Sequence, residues 1–294
     1  MTKQTQADLM ILFVTMCWGI SYYMINLCTG ALGPFALNAC RFLIAFAFAC
    51  MLFFPKLRAV NKVTVQYSVF GGIVLAAAYL LVTLGVTRTS LSNAGFMIAL
   101  MVVFTPLLSI LIYKKLPEKK LIVVVLMCLF GIALMTLNEE FRPASGDILC
   151  LACAIVSAGH LLFVESVVRR EDVNVIQFSV YQILCVGLLF LPFALFVNRP
   201  PMPDSGFVIF SVFFLAIFCT AAAFIVQPIA QQHTSATRVG IIFTLEPIFA
   251  GVVAFFLAGE VLLPRAYLGA LIMLLGLFLM EIDLARLKNR IRRT

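Results

Sequence analysis

Residues 235–260 read SATRVGIIFTLEPIFAGVVAFFLAGE, an apolar run broken near its middle by Glu246 and Pro247. About 20 apolar residues cross a hydrocarbon core roughly 30 Å thick, so the run has the length of a membrane-spanning helix. An ionised carboxylate at the centre of such a span costs roughly 2.5 to 3.5 kcal/mol on insertion scales, which turns Glu246 toward protein, water or a bound molecule. Pro247 adds a second constraint, because it has no N–H and leaves a carbonyl one turn earlier without a helical partner. A polar, bent point inside a span marks a candidate site.

The rest of the chain is of the same kind. Of its 294 residues 63% are hydrophobic and 12% charged, and the mean hydropathy is +1.11. Such a composition excludes a soluble domain and predicts an all-α integral membrane protein. The same length criterion predicts ten spans, at about 8–27, 34–54, 66–86, 91–112, 121–138, 147–167, 176–197, 207–229, 237–258 and 265–284. The segments between them are too short to build a core of their own, so function is expected inside the bundle.

Lys and Arg set the orientation, since cytoplasmic loops hold the positive excess. With the N-terminus inside, the inner segments carry Lys56, Arg58 and Lys62, the cluster Lys114, Lys115, Lys119 and Lys120, and the basic tail from Arg286; the outer ones carry only Arg88, Arg142, Arg199 and Arg265. Both termini are thus expected in the cytoplasm. The formal charge of +8 reflects topology and calls for no nucleic-acid partner. The first span is longer than a signal-peptide core and no small-residue cleavage site follows, so it is expected to be retained. The nine cysteines read as small core residues. A single CxxC at Cys150 and Cys153 is a weak metal or redox signal, and no metal or cofactor is expected.

An internal repeat emerges when the chain is displaced by 145 residues: Thr89, Ser90 and Gly95 fall on Thr234, Ser235 and Gly240, and Gly131 and Met135 on Gly276 and Met280. Five spans per copy is an odd number, so the second copy must cross the membrane in the opposite sense. The expectation is two inverted five-helix repeats, residues 1–140 and 141–294, around a central cavity.

Four segments carry a family likeness: CWGISYYMI in span one, RFLIAFAFA in span two, TSLSNAGFM opening span four and LEPIFAGVVAFFLAGE closing span nine. In this order and spacing the chain resembles the ten-helix EamA-type transporters of the drug/metabolite transporter superfamily over nearly its whole length. The resemblance implies a cavity lined by the first four helices of each half, alternating access, and a small organic cargo, often an amino acid or amine. It also implies that export across the cell inner membrane is common. Where many members carry Glu at the end of span four, this chain has Lys114 and Lys115, the counterparts of Gly259 and Glu260, so the two half-sites differ there.

Candidate cargo residues follow from depth and helical spacing. Trp18, Ser21 and Tyr22 share a face of span one, and Trp18 is too deep to be an interfacial anchor. Tyr79 in span three aligns with Phe224, and two such rings suit a ring or a cation. Asn38 and Arg41 lie one turn apart in span two and offer an amide and a guanidinium to a carboxylate; the alternative is that Arg41 ties span two to a neighbour. Asn93 and Met97 begin span four on one face. His160 reads as a buried, hydrogen-bonded histidine or a proton relay, and Gln182 and Gln227 as interhelical glue or cargo contacts. Glu165, four residues before Arg169, reads as half of a surface ion pair.

Glu246 has two functional readings, counter-charge to a substrate ammonium or a proton site that couples transport to the proton gradient; bracing of the helix break or pairing with Arg41 is the structural alternative. With Arg41 the only cation away from the ends of the spans, a polyanionic cargo is disfavoured. One acid, one base and several aromatics fit a zwitterion or an organic cation. An integral-membrane enzyme would want clustered acids or histidines, and His160 and His233 lie apart; a receptor without transport is the other rival.

Overall fold

Helix α1 (Lys3–Leu32) begins at Thr2, whose side chain accepts from the Thr5 amide, and ends at Gly33. Gly33 adopts φ 71° and ψ 163°, a left-handed value that a residue without Cβ holds at no steric cost. Pro34 then opens α2 (Pro34–Leu57), where its missing N–H is not needed. The computed structural model describes residues 1–59, 61–86, 88–89, 97–114, 119–136, 145–197, 205–258 and 264–281. Within them follow α3 (Lys62–Val86), α4 (Met101–Tyr113), α5 (Lys119–Thr136), α6 (Ser145–Val168), α7 (Val175–Phe196), α8 (Gly206–Ala216), a π-helical segment (Ile217–Ala222), α9 (Ala223–Gln231), α10 (Ala236–Phe243), α11 (Glu246–Ala258) and α12 (Pro264–Glu281).

Among the described residues seven helical stretches are long and apolar enough to cross a membrane: Lys3–Ile25, Pro34–Leu57, Lys62–Val86, Ser145–Val168, Val175–Phe196, Gly206–Gln231 and Ala236–Val253. The other three expected spans coincide with the apolar helices Met97–Tyr113, α5 and α12, and parts of them lie outside the described residues. The chain is therefore an all-helical, multi-pass membrane protein. Its surface agrees, because Phe193 and Phe196 of α7, Phe207, Phe210 and Phe213 of α8 and Phe256 of α11 stand exposed, while Arg41, Gln182, Gln227 and Gln231 are buried. Polar groups inside and apolar groups outside is the arrangement a lipid solvent demands.

Helices α2 and α7 pack on each other, as do α5 and α12. Helix α3 lies against α6 and α7, and α1 lies against the α8–α9 stretch, α10 and α11. Four polar contacts fix the helix ends. The Thr89 hydroxyl donates to Asp147 Oδ1 at 2.5 Å, which places the start of α6 beside the end of α3. At the other end of α6, Glu165 Oε2 accepts from the Ala236 amide at 2.9 Å and Oε1 lies 2.6 Å from Arg169 Nη2. The carboxylate thereby serves the expected ion pair and also caps α10, where orphan N–H groups favour an anion. Arg238 of α10 then grips Asp8 of α1, Nη2 to Oδ2 at 2.8 Å. Since α1 begins where α6 ends, the two helices run in opposite senses.

Candidate functional site

The apolar run that holds Glu246 is two helices. At the end of α10 the Thr244 and Leu245 amides bond three residues back, to Ile241 and Ile242 carbonyls at 3.1 Å each, and α11 starts afresh at Glu246. Pro247 therefore stands in a first turn, where no N–H is required, and the carboxylate occupies the positive end of the α11 dipole. Gly19 of α1 abuts this start: a Cβ there would collide with Phe249 and lie 2.9 Å from the Glu246 carbonyl oxygen. Only a glycine lets α1 come this close.

Glu246 lines a cavity of about 140 Å³ at the junction of α1, α2, α3, α4, α6, α9, α10 and α11, together with Trp18, Ser21, Arg41, Tyr79, Met101, Ser157, His160, Phe224, Gln227 and Phe243. Of the residues expected from sequence, Trp18, Arg41, Tyr79, His160 and Glu246 thus meet on one cavity.

Arg41 is 2% exposed and is held by the π-helical segment. Its Nε donates to Thr220 Oγ1 at 2.9 Å and its Nη2 to the Cys219 carbonyl at 3.4 Å. The Thr220 hydroxyl donates in turn to the Leu215 carbonyl, five residues back. The same Cys219 carbonyl accepts from Trp18 Nε1 at 2.9 Å. A π turn widens the helix and releases backbone acceptors, which is why such turns gather at functional positions. Tyr79 and Phe224 meet edge to face, with ring centroids 6.0 Å apart and planes at 62°. The cation on Tyr79 is the protein's own Arg41, whose guanidinium carbon is 5.2 Å from the ring centre. Trp18 packs at a tilt against Phe243, centroids 4.8 Å apart, and against Phe224 at 5.6 Å, so the aromatic wall is braced.

Other expected residues sit elsewhere. Asn38 does not join Arg41 at the cavity; its Nδ2 donates to Thr83 Oγ1 at 2.8 Å and ties α2 to α3. Gln182 is buried behind the wall, its Oε1 3.0 Å from His160 Nε2. That contact orients the His160 ring, and the cavity is lined by the histidine and not by the glutamine. Met97 is absent from the wall, where Ile98 and Met101 stand. Asn93 and the side chain of Tyr22 lie outside the described residues. The sequence reading missed Thr220, Cys219 and Phe243. Thr220 was findable in principle, as a hydroxyl in mid-span opposite a buried arginine that needs a partner.

The pattern of the EamA-like transporter family matches the chain over residues 5–137 and again over 144–282. An uncharacterized transporter of Archaeoglobus fulgidus is 28% identical over 280 residues, which cover 95% of this chain and 87% of the relative. Another, from Buchnera aphidicola, is 23% identical with 97% of each chain covered. A crystal structure superposes with a TM-score of 0.81 at 17% identity, covering 96% of this chain and 99% of that one; this last likeness speaks to the fold alone.

Proposed function

Because the chain belongs to the EamA-like transporter family, we propose that this membrane transporter is a secondary carrier of a small zwitterionic or cationic metabolite, an amino acid or an amine, worked by alternating access. The observation that carries this reading is the cavity shared by Glu246, Arg41 and a braced set of aromatic rings. An engineered apolar cavity of about 150 Å³ accepts benzene, so 140 Å³ suits a cargo of about one ring. Arg41 already spends two of its donors on the protein; Glu246 is the carboxylate of the cavity wall, and a cargo ammonium and a coupled proton both call for an anion.

The carrier is built from two inverted five-helix repeats, residues 1–140 and 141–294. The double family match, the opposed senses of α1 and α6 and the packing of α2 on α7 and α5 on α12 all support this. The charge distribution supports cytoplasmic termini; export across the cell inner membrane rests on the family likeness. Thermal-shift screening of purified protein against amino acids and amines, followed by flux of the stabilising compounds in proteoliposomes, tests the reading. Saturable flux is expected. Binding without flux would point to a receptor, and chemical conversion of the compound to an enzyme.

A further inference from the structure

We infer that Gln227 binds cargo: its side-chain carbonyl accepts a hydrogen bond from the N–H of a cargo ammonium. The argument begins with the direction of a short amide relay. The Leu161 carbonyl can only accept, so the Gln231 atom that faces it at 3.1 Å is the nitrogen Nε2. Gln231 Oε1 then faces Gln227 and requires a donor, which Gln227 Nε2 supplies at 3.1 Å. The amide orientation of Gln227 is thereby set by its neighbours, and the oxygen is left over. Gln227 is 2% exposed, and its Oε1 is buried with no hydrogen-bond partner among the described residues.

A buried acceptor without a donor is costly to keep. Where such an atom belongs to a residue of a cavity wall, the cavity selects whatever brings the missing donor. Gln227 lines the same cavity as Glu246 and Phe224, with Phe224 one turn earlier on α9. Gln182 makes the contrast: its Nε2 is likewise unpartnered, but that residue is not on the wall. The wall therefore combines a carboxylate, a neutral acceptor and aromatic faces, a set matched to an ammonium that still carries hydrogen and unmatched to a quaternary one.

This inference rests on the amine or amino-acid reading above, and the test separates the two. Tyramine and L-phenylalanine are compared with their N,N,N-trimethyl derivatives, which keep ring and charge and lose every ammonium N–H. Uptake into proteoliposomes is measured for the wild type, Gln227→Leu and Gln227→Glu. Loss of the acceptor in Gln227→Leu raises KM for the N–H compounds about tenfold and for the trimethyl compounds less than about twofold. Gln227→Glu keeps an acceptor of the same shape and, protonated in its buried position, donates its O–H to Gln231 Oε1 in place of Nε2, so it keeps uptake of the N–H compounds. The assignment is overturned if Gln227→Leu shifts both sets alike or neither, or if membrane-inserted Gln227→Glu loses the N–H compounds. Should Gln227→Leu fail to insert, Gln227→Glu decides by the same criterion. A wild type that moves none of the four compounds overturns the amine reading itself, and the assignment with it.

Discussion

Arg238 holds Asp8 across 230 positions of sequence, with Nε 3.1 Å from both carboxylate oxygens and Nη2 2.8 Å from Oδ2. Thr234 adds a hydroxyl to the same carboxylate at 3.3 Å. At the far end of α6 a related contact joins Thr89 to Asp147, and Thr89 and Thr234 are the residues that the 145-residue displacement superposes. One end of the bundle thus carries an ion pair and a hydroxyl.

The Arg238–Asp8 pair is mostly shielded, with side chains 16% and 12% exposed, so its loss should be felt. Asp8→Asn and Arg238→Gln are each expected to lower stability by about 1.5–3 kcal/mol, the range for hydrogen bonds to charged groups. The double variant should cost less than the sum, because the second change no longer strands a charge. Thermal unfolding of the four proteins in detergent reads this directly, and additive losses would show that the two groups act independently.

Arg41 is predicted to be a bracing residue before it is a cargo residue. Arg41→Lys removes the fork that reaches both Thr220 and the Cys219 carbonyl, since an ammonium is a single point of charge. It should destabilise the protein by about 2 kcal/mol, and Thr220→Val by about 1 kcal/mol. Melting temperatures in that order are expected. A wild-type melting temperature for Arg41→Lys combined with a large rise in KM would instead make Arg41 a cargo ligand only.

Close approach of α1 to the start of α11 predicts a contrast between two helical glycines. Gly19→Ala must push Phe249 and the Glu246 carbonyl aside, an overpacking worth about 1–3 kcal/mol, and should impair transport because Glu246 moves. Gly159 has nothing within 4 Å of an added Cβ, so Gly159→Ala should be neutral or stabilise by up to about 1 kcal/mol through helix propensity. Equal behaviour of the two variants in flux and melting would contradict the packing argument.

How much of this was legible in the sequence depended on the reach of each interaction. Hydropathy fixed the membrane class and most helix positions, because a span must satisfy lipid along its own length. The Glu246–Pro247 step marked the break for a local reason, the missing N–H and the misplaced charge. Trp18, Tyr79 and His160 were findable from depth. The tie of Asn38 to Thr83 joins two helices, and helical spacing says nothing of partners across a bundle. The same limit hid the π-helical grip on Arg41, which depends on how Ile217–Ala222 is wound.

The central claim is that Glu246 works on cargo at the head of α11. Its most direct test is uptake of labelled L-phenylalanine and tyramine into proteoliposomes by wild type and Glu246→Gln, at two external pH values. The account predicts saturable, pH-dependent uptake by the wild type, and a Glu246→Gln protein that inserts and melts normally but has lost uptake or its pH dependence. Normal uptake with unchanged pH dependence in Glu246→Gln would contradict it.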